Sequence, residues 1–305
     1  ARDRDFSALV MVFENNSFQN VPLKKREQIR MEIAEYLLKL PDSPAFKYAE
    51  DEFYILFSDS DAAEQKIQKI RRRLETGWGS EPACLVRPCW LYLPHSHIVD
   101  QPQKLLTLVR YIRQDGMEFS ENGLLVVEKD SVDQMNREKE TEQLILKAME
   151  EDRVEVYYQP IFSTEEQRIT SAEALVRIRE RDGSVIPPGT FIDIAEESGL
   201  ILRFGEIVFE KVCRFIQKYP PEEYGLHYIE VNLSVVQCAY DRLAEDYISI
   251  MKKYGVDPRF INLEITESAS TTAKKTLLGN MDALIQYGIK FSLDDFGTGQ
   301  SNLNY

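Results

Sequence analysis

A chain of 305 residues is longer than one ordinary hydrophobic core requires, and at about 150 residues per domain it predicts two domains. Hydrophobic residues make up 43% of the sequence, which is enough for a core in each half. The 37 basic and 51 acidic residues give a formal net charge of −14, which argues against DNA or RNA as a partner because phosphate would be repelled. A small anionic ligand remains compatible with this charge if metal ions or a few Arg or Lys residues reverse the field locally.

The sequence carries no sign of a membrane segment. No apolar run approaches the roughly 20 residues that cross a bilayer, and no signal peptide opens the chain. Four scattered cysteines without metal-ligand spacing favour reduced thiols, with a bridge between Cys84 and Cys89 as the minor alternative. We therefore expect a cytoplasmic location for this portion. Because the sequence begins at Ala1 rather than Met, we expect room for a sensor or membrane segment upstream.

Residues 1–130 predict a compact α/β domain. Its expected elements are a strand at 8–13, a helix at 26–39, a strand pair within 46–57, a helix at 62–74, a strand at 84–93 and a helix at 103–113. Residues 131–152 then become rich in Glu, Lys, Gln, Met and Leu and predict a linker helix. For this helix a plain connector role and a role in transmitting strain between domains both stay open.

Residues 153–305 predict strands and helices in serial alternation. The expected strands lie at 154–161, 169–178, 228–233, 260–265 and 289–293, and the expected helices at 191–198, 204–218, 240–254 and 272–287. Gly199, Gly255 and Gly288 follow three of these helices as stop signals. This alternation predicts parallel β/α units closing into a TIM-type barrel, which needs roughly 250 residues when complete. We therefore expect a partial β/α barrel.

Polar side chains recur on one face of the predicted strands. Asn232, Glu264 and Asp294 are 32 and 30 residues apart, one β/α unit each time, so we expect them side by side near the C-terminal ends of neighbouring strands. Glu173 and Arg177 share a face of the strand at 169–178. The opposing residues on three strands are Ile229, Val231, Leu233, Ile261, Leu263, Ile265, Ile289, Phe291 and Leu293, while Glu230, Asn262 and Ser292 share the polar face.

This polar face predicts a divalent metal site. Burying Glu173, Glu264 and Asp294 together without a counter-charge would cost several kcal/mol per ion. Carboxylate and amide oxygens without His or Cys select a hard cation, so we expect Mg²⁺ or Mn²⁺ rather than Zn²⁺. A lone acid at a strand end is more often a cap or a surface group. Three acids in register on neighbouring strands, followed by a second Asp at Asp295, instead favour the metal site.

Six motifs in order resemble those of the bacterial EAL domain family. They are YQPI (158–161), EALVR (173–177), AEESGLI (195–201), VNLS (231–234), LEITES (263–268) and DDFGTG (294–299). The resemblance implies a phosphodiesterase that opens cyclic di-GMP to linear pGpG with two metal ions, Mg²⁺ or Mn²⁺. Two metals can activate a water and stabilise the leaving oxygen of a phosphodiester.

The resemblance also implies roles for individual residues. The implied metal ligands are Glu173, Asn232, Glu264, Asp294 and Asp295, the last facing the second metal. The implied catalytic residues are Glu173, Asp294, Asp295 and Glu267, with Glu267 anchoring the loop that starts at Asp294. Gln159 and Arg177 would contact cyclic di-GMP, with Arg177 near a phosphate.

Two positions depart from the family pattern. Gln300 replaces an aromatic or small polar residue, and the chain ends at Tyr305, before the strand that supplies a catalytic Lys and before a later Glu. We therefore expect the parent protein to be a hydrolase and the 305-residue chain alone not to be competent. Two alternatives stay open: an inactive cyclic di-GMP receptor and a scaffold. A homodimer through either domain also stays open.

The N-terminal domain resembles a GGDEF domain that has lost its catalytic signature. Residues 49–53 read AEDEF, so Ala49 and Glu50 add side chains where GTP would lie, in place of two glycines. Glu14 stands at the family's first metal-binding Asp, and residues 31–48 contain no Arg for the usual inhibitory site. We expect no synthesis of cyclic di-GMP. His95 and His97 are expected to be loop residues, because a metal site needs further ligands that residues 94–97 lack.

Overall fold

The computed structural model describes residues 5–13, 15–18, 21–58, 60–78, 86–99, 102–114, 124–266 and 274–294. The chain divides into two compact units, Ala1–Arg137 and Glu138–Tyr305. Among the described residues, no helix combines the length and apolarity needed to cross a membrane. Cys213 and Cys238 are free thiols, and Cys84 lies outside the described residues.

The first unit is a five-stranded sheet with helices on both faces. Its strands are β1 (Ser7–Val12), β2 (Ala45–Ala49), β3 (Glu52–Phe57), β4 (Cys89–Leu93) and β5 (Leu124–Val126), in the order β2-β3-β1-β4-β5. Its helices are α1 (Leu23–Leu38), α2 (Ser60–Leu74) and α3 (Pro102–Gln114). Strand β1 is antiparallel to both β3 and β4, whereas β4 and β5 are parallel. The short strand β5 was not predicted.

Strand β1 is apolar at every position after Ser7. All six of its residues are buried. Leu9 and Met11 pack into one core with α1 and α2, whereas Ala8 and Val10 pack into another with α3. Alternate side chains of a strand point to opposite faces, so a central strand covered on both faces needs apolar residues at every position.

The predicted linker helix is observed as α4 (Lys129–Glu150). Val132 and Met135, near its start, belong to the core that α3 shares with β1. Ile145 and Ala148, near its end, belong to a core of the second unit. The apolar positions of this otherwise charged helix are therefore used for packing at both of its ends.

The second unit contains one sheet of six strands. They are β6 (Val154–Ser163), β7 (Arg168–Arg179), β8 (Val185–Ile186), β9 (Tyr228–Leu233), β10 (Ile261–Thr266) and β11 (Lys290–Asp294), in the order β11-β10-β9-β7-β6 with β8 paired to β7. The helices are α5 (Ile192–Glu197), α6 (Ile201–Lys218), α7 (Val235–Cys238), α8 (Leu243–Tyr254) and α9 (Lys274–Tyr287).

The predicted parallel arrangement is correct for four strands and wrong for the first. Strands β7, β9, β10 and β11 are parallel neighbours. Strand β6 instead forms an antiparallel hairpin with β7. Only residues 164–167 connect them, whereas a parallel crossover needs a dozen or more residues. The predicted strands at 154–161 and 169–178 were each too short, and this hid the tight turn.

The apolar faces of the parallel strands pack against the helices, as the alternation predicted. Ile229, Val231 and Leu263 are each no more than 2% exposed and share a core with Phe209 of α6 and Met251 of α8. The predicted helix stops are also observed. Gly199, Gly255 and Gly288 all have positive φ, a conformation that glycine adopts without strain.

Candidate functional site

Four predicted ligand positions lie on four neighbouring strands. Glu173 is on β7, Asn232 on β9, Glu264 on β10 and Asp294 at the end of β11. The Asn232 side-chain amide donates a hydrogen bond of 2.8 Å to Glu173 Oε1. Asn232 and Glu264 are direct register partners, and Asp294 is the partner of Thr266, two residues beyond Glu264. The sheet therefore brings these positions to one edge.

Two further predicted site residues cannot be placed in the same way. Asp295 and Glu267 lie outside the described residues, and only the backbone of Asp294 is described. Asn232 is exposed, while Glu173 and Glu264 are half-buried. Charged groups that are only partly buried keep part of their hydration. This position at the sheet edge therefore avoids most of the desolvation free energy that burying several acids would require.

The predicted ligand-contacting residues share the face that carries Glu173. In the β6–β7 hairpin, Gln159 is the register partner of Glu173, and Glu155 is the partner of Arg177. Directly opposite residues of antiparallel strands project to the same side. The guanidinium carbon of Arg177 lies 5.9 Å from the ring centroid of Tyr157, within the range of a cation–π contact.

A hydrogen-bonded cluster on this face was not predicted. Arg179 donates to both carboxylate oxygens of Glu155, at 2.7 and 2.9 Å, and to the Tyr157 hydroxyl at 2.7 Å. The hydrogen bonds from Arg179 lower the pKa of Glu155. Only the antiparallel pairing of β6 with β7 brings these groups together. The signal available in the sequence was the period-two spacing of Glu155, Tyr157 and Gln159.

An inner polar layer lies two residues before the ligand positions on three strands. Asn262 donates to Glu230 Oε1 at 2.5 Å and to Ser292 Oγ at 2.9 Å. The Ser292 hydroxyl donates to the same Glu230 oxygen at 2.9 Å. The alternation in the sequence predicts these residues on the polar face but indicates no role for them. Their hydrogen bonds join β9, β10 and β11 directly below Asn232 and Glu264.

The turn that follows Asn232 is fixed by a buried glutamine. Ser234 Oγ accepts a hydrogen bond from the Val236 backbone N–H, which caps α7. The Gln237 side chain accepts from the Ser234 backbone N–H at 3.1 Å and donates to the Tyr247 hydroxyl at 3.1 Å. Gln237 is 4% exposed. These hydrogen bonds fix the backbone that connects β9 to α7.

The donor set at the sheet edge fits a hard divalent cation. Glu173 and Glu264 offer carboxylate oxygens and Asn232 offers an amide oxygen, and such oxygens are the ligands that Mg²⁺ and Mn²⁺ prefer. The Asn232 amide that now donates to Glu173 can turn to present its oxygen, because Asn232 is exposed. No sulfur or imidazole ligand is needed for this chemistry.

A second cluster of ligand-type residues lies in the first unit and has different chemistry. Asp5, His95 and His97 place one potential ligand atom each within 4.8 Å of one another. His95 and His97 lie after the end of β4, as expected for loop residues. The further ligand-type group that the segment 94–97 lacks is Asp5. Asp5 comes from a distant part of the sequence.

Comparison with known sequences identifies relatives of the second unit. A sequence model described as the EAL domain matches residues 142–305. The signaling protein YkoW of Bacillus subtilis is 35% identical over 164 residues, which are 54% of this chain and 20% of YkoW. The cyclic di-GMP phosphodiesterase PdeR of Escherichia coli is 34% identical over 158 residues, 52% of this chain and 24% of PdeR.

A third relative is described as carrying two activities. The bifunctional diguanylate cyclase/cyclic di-GMP phosphodiesterase MucR of Pseudomonas aeruginosa is 32% identical over 158 residues, 52% of this chain and 23% of MucR. The chain thus spans about a fifth to a quarter of the length of these curated relatives.

Comparison with solved structures gives a likeness over the whole chain. The EAL enzyme Bd1971, in its cAMP and cyclic-di-GMP bound form, aligns with a TM-score of 0.52 at 17% identity, covering 99% of this chain and 73% of that one. The PaMucR phosphodiesterase in complex with c-di-GMP aligns with a TM-score of 0.49 at 30% identity, covering 53% of this chain and 66% of that one. The first likeness concerns the fold alone.

Proposed function

This chain belongs to the EAL domain family, and we propose that its second unit binds cyclic di-GMP and hydrolyses it to linear pGpG with two divalent metal ions. The observation that carries the proposal is the cluster of Glu173, Asn232 and Glu264 on adjacent strands. Two relatives more than 30% identical in sequence are described as cyclic di-GMP phosphodiesterases, which supports the same reaction.

In this proposal the acidic and amide side chains bind the metal ions, and the positively charged groups, which are the metal ions and Arg177, bind the anionic substrate. Glu173, Asn232, Glu264, Asp294 and Asp295 would bind Mg²⁺ or Mn²⁺. When bound, such ions lower the pKa of a water and neutralise charge on a phosphodiester. Without them, clustered carboxylates would repel an anionic ligand.

The remaining side chains would orient cyclic di-GMP against this edge. Arg177 presents a guanidinium group on the Glu173 face, where it can pair with a phosphate. Gln159, opposite Glu173, would hydrogen-bond to the ligand. Arg179 is held by the Glu155 carboxylate and the Tyr157 hydroxyl, whereas Arg177 donates to the uncharged Val176 carbonyl, so we assign Arg177 to the phosphate. Glu267 would anchor the loop that begins at Asp294.

We also propose that the first unit does not synthesise cyclic di-GMP. The segment that would carry the GGDEF signature is a tight hairpin, with Glu50 and Asp51 between β2 and β3. Glu52 is 8% exposed and lies 3.3 Å from the Tyr54 hydroxyl. Ala49 and Glu50 carry side chains where GTP would need close backbone approach. Incubation of the protein with GTP and Mg²⁺ should yield no cyclic product, and a detectable yield would overturn this assignment.

The hydrolase proposal is tested with Glu173→Gln. The substitution keeps the size of the side chain and removes its charge. We expect loss of Mn²⁺-dependent conversion of cyclic di-GMP to pGpG, measured by chromatography of the products. Glu245→Gln is the matched control, because Glu245 is an exposed acid on α8, outside the site. Both proteins are compared at the full length of the parent protein, and equal, measurable turnover by Glu173→Gln and the unaltered protein would contradict the metal assignment.

Binding measurements separate the hydrolase from the alternatives. Titration with cyclic di-GMP in the presence of Ca²⁺, in place of the Mg²⁺ or Mn²⁺ assigned to the reaction, reports affinity separately from turnover. Arg177→Ala should weaken this binding by about tenfold to a hundredfold, as expected for loss of a charge-assisted hydrogen bond. Binding without turnover in the unaltered parent protein at full length would identify a receptor. Absence of both would favour a scaffold.

A further inference from the structure

The pairing of β1 with β4 brings two distant segments together in the first unit. Ala8 and Leu93 are register partners in antiparallel strands. Asp5 lies three residues before Ala8, and His95 lies two residues after Leu93. As a result, Asp5 Oδ2 is 2.7 Å from His95 Nδ1. Asp5 Oδ1 is 3.6 Å from His97 Nδ1.

The Asp5 carboxylate is already held in place by its neighbours. The Ser96 hydroxyl and the Ser96 backbone N–H both donate to Oδ1, at 2.7 and 2.8 Å. The hydrogen bond from the Ser96 hydroxyl, helped by those from His95 and the Ser96 backbone, holds the pKa of Asp5 well below its usual range. The rings of His95 and His97 stack with centroids 5.1 Å apart. Three ligand-type groups therefore converge with little freedom left in the carboxylate.

We propose that Asp5, His95 and His97 form a Zn²⁺-binding site. Two imidazole nitrogens and one carboxylate oxygen are a borderline ligand set, which suits Zn²⁺ better than Mg²⁺. Bonds of about 2.0–2.1 Å in a tetrahedron separate ligand atoms by about 3.4 Å, so the atoms within 4.8 Å here need only small side-chain rotations. A water molecule would complete the tetrahedron.

The exposure of the two imidazole rings leaves room for that fourth ligand. The side chain of His95 is 45% exposed and that of His97 is 73% exposed, so a metal ion and a water molecule can reach both rings. The site would tie the segment before β1 to the turn after β4. Zn²⁺ would thereby stabilise the first unit, independently of the hard-cation chemistry proposed for the second.

The chain provides its own matched control for a test. It contains three histidines, and the third, His227, is in the second unit. His227 Nε2 lies 3.5 Å from Glu166 Oε1, so it resembles the His95–Asp5 pair but lacks a second imidazole among the described residues. His97→Gln removes one proposed ligand and leaves the Asp5–His95 hydrogen bond in place.

The experiment is calorimetric titration of the protein with ZnCl₂ in excess MgCl₂, which occupies hard-oxygen sites. The unaltered protein and His227→Gln should bind one more Zn²⁺ per chain than His97→Gln. Loss of an outer-sphere partner alone weakens metal binding by about 10–100-fold, so His97→Gln should lose at least tenfold in affinity. The imidazole NMR signals of His95 and His97 should shift with Zn²⁺ while those of His227 stay fixed.

Two results would overturn the Zn²⁺ site. They are equal Zn²⁺ binding by all three proteins and a shift of the His227 signals alone. Thermal unfolding without Zn²⁺ should be the same for His97→Gln and the unaltered protein, because His97 is an exposed side chain. With Zn²⁺ added, only proteins that keep the site should unfold at a higher temperature.

Discussion

Two asparagines on the polar face of the second unit differ in burial and therefore in role. Asn262 is 5% exposed and donates two hydrogen bonds within the inner polar layer. Asn232 lies beside Glu173, at an exposed position. A buried donor to a carboxylate supports the fold, because its removal takes a hydrogen bond from the charge and leaves Glu230 with the donation from Ser292. An exposed amide at the site is free to serve a ligand.

We therefore predict opposite effects for the two alanine substitutions. Asn262→Ala should lower the free energy of unfolding by about 1–3 kcal/mol, because Glu230 loses a charge-assisted hydrogen bond. Asn232→Ala should leave stability within about 0.5 kcal/mol and reduce Mn²⁺-dependent turnover. Urea denaturation and product chromatography measure the two effects. Destabilisation by Asn232→Ala equal to that by Asn262→Ala would contradict the division of roles.

The sequence predicted the site residues only where strand periodicity determines their positions. The spacing of Asn232 and Glu264 placed them on neighbouring strands, and their register pairing agrees. The Glu155–Arg179 pair was missed because it depends on the direction in which β6 pairs with β7. Asp5 and His95 are 90 residues apart, and no local pattern could join them.

Among the elements, α6 approaches the turn after β9 at a glycine. A Cβ atom on Gly205 would lie 1.9 Å from Gln237 Nε2 and 2.8 Å from Gln237 Cδ. Gln237 cannot move away without losing its hydrogen bonds to Ser234 and Tyr247. Glycine thus allows α6 to pack closely on the residue that holds the turn.

Gly205→Ala should destabilise the second unit by about 1–3 kcal/mol, as expected when a side chain is forced into a packed interior. Gly279→Ala is the control, because Gly279 is in α9 and its added Cβ would meet nothing within 4 Å. There the helix propensity of alanine should stabilise by about 0.5–1 kcal/mol. Chemical denaturation of both variants checks the contrast. Destabilisation by both substitutions would show that space at Gly205 is not the cause.

An ion pair between α6 and α8 stabilises the second unit to an extent that depends on pH. Glu210 Oε1 accepts hydrogen bonds from Lys253 at 2.7 Å and from the Tyr254 hydroxyl at 2.6 Å. These hydrogen bonds, led by that of Lys253, lower the pKa of Glu210 from its usual 4.5. A lowered folded-state pKa means that the stabilisation is fully present above pH 4.5 and is lost as the pH falls through the lowered value.

Glu210→Gln should therefore lower the free energy of unfolding at pH 7 by about 0.5–1 kcal/mol, the range for a partly exposed pair. The difference from the unaltered protein should shrink as the pH falls below 4.5. Glu245→Gln should show little effect, because Glu245 is 80% exposed and lies 3.9 Å from Arg242. Urea denaturation over a pH series measures both. A difference that stays constant with pH would rule out ionisation of Glu210 as the cause.

At the scale of the elements, the sequence pattern predicts helices and strands, whereas the direction in which strands pair is determined by the turns between them. The predicted helices lie within three residues of their observed bounds, whereas the strand expected at 84–93 begins only at Cys89 among the described residues. Strand β5 was missed because three residues, Leu124–Val126, are too few to show a period. The sequence did not reveal that β6 is antiparallel to β7, because that direction follows from the short turn at residues 164–167. The turn could not be recognised while the ends of both strands were misplaced, and strand ends are what a sequence pattern locates least well.

At the scale of the whole molecule, each unit has hydrophobic cores of its own. Leu37 of α1 belongs to a core of the first unit, and Val212 of α6 belongs to a core of the second. Helix α4 contributes residues to cores in both units. Units with separate cores can unfold separately, because the packing lost in one is not shared with the other.

We therefore predict two thermal transitions, one for each unit. Leu37→Ala removes a side chain that is 1% exposed and should destabilise only the first unit, by about 2–5 kcal/mol. Val212→Ala, at a fully buried position of α6, is the matched substitution for the second unit. Cyclic di-GMP with Ca²⁺ should raise only the transition that Val212→Ala lowers, since a ligand stabilises the part that binds it. Calorimetry measures both transitions. If Leu37→Ala and the ligand shifted a single common transition, the two units would be coupled through α4 into one cooperative structure.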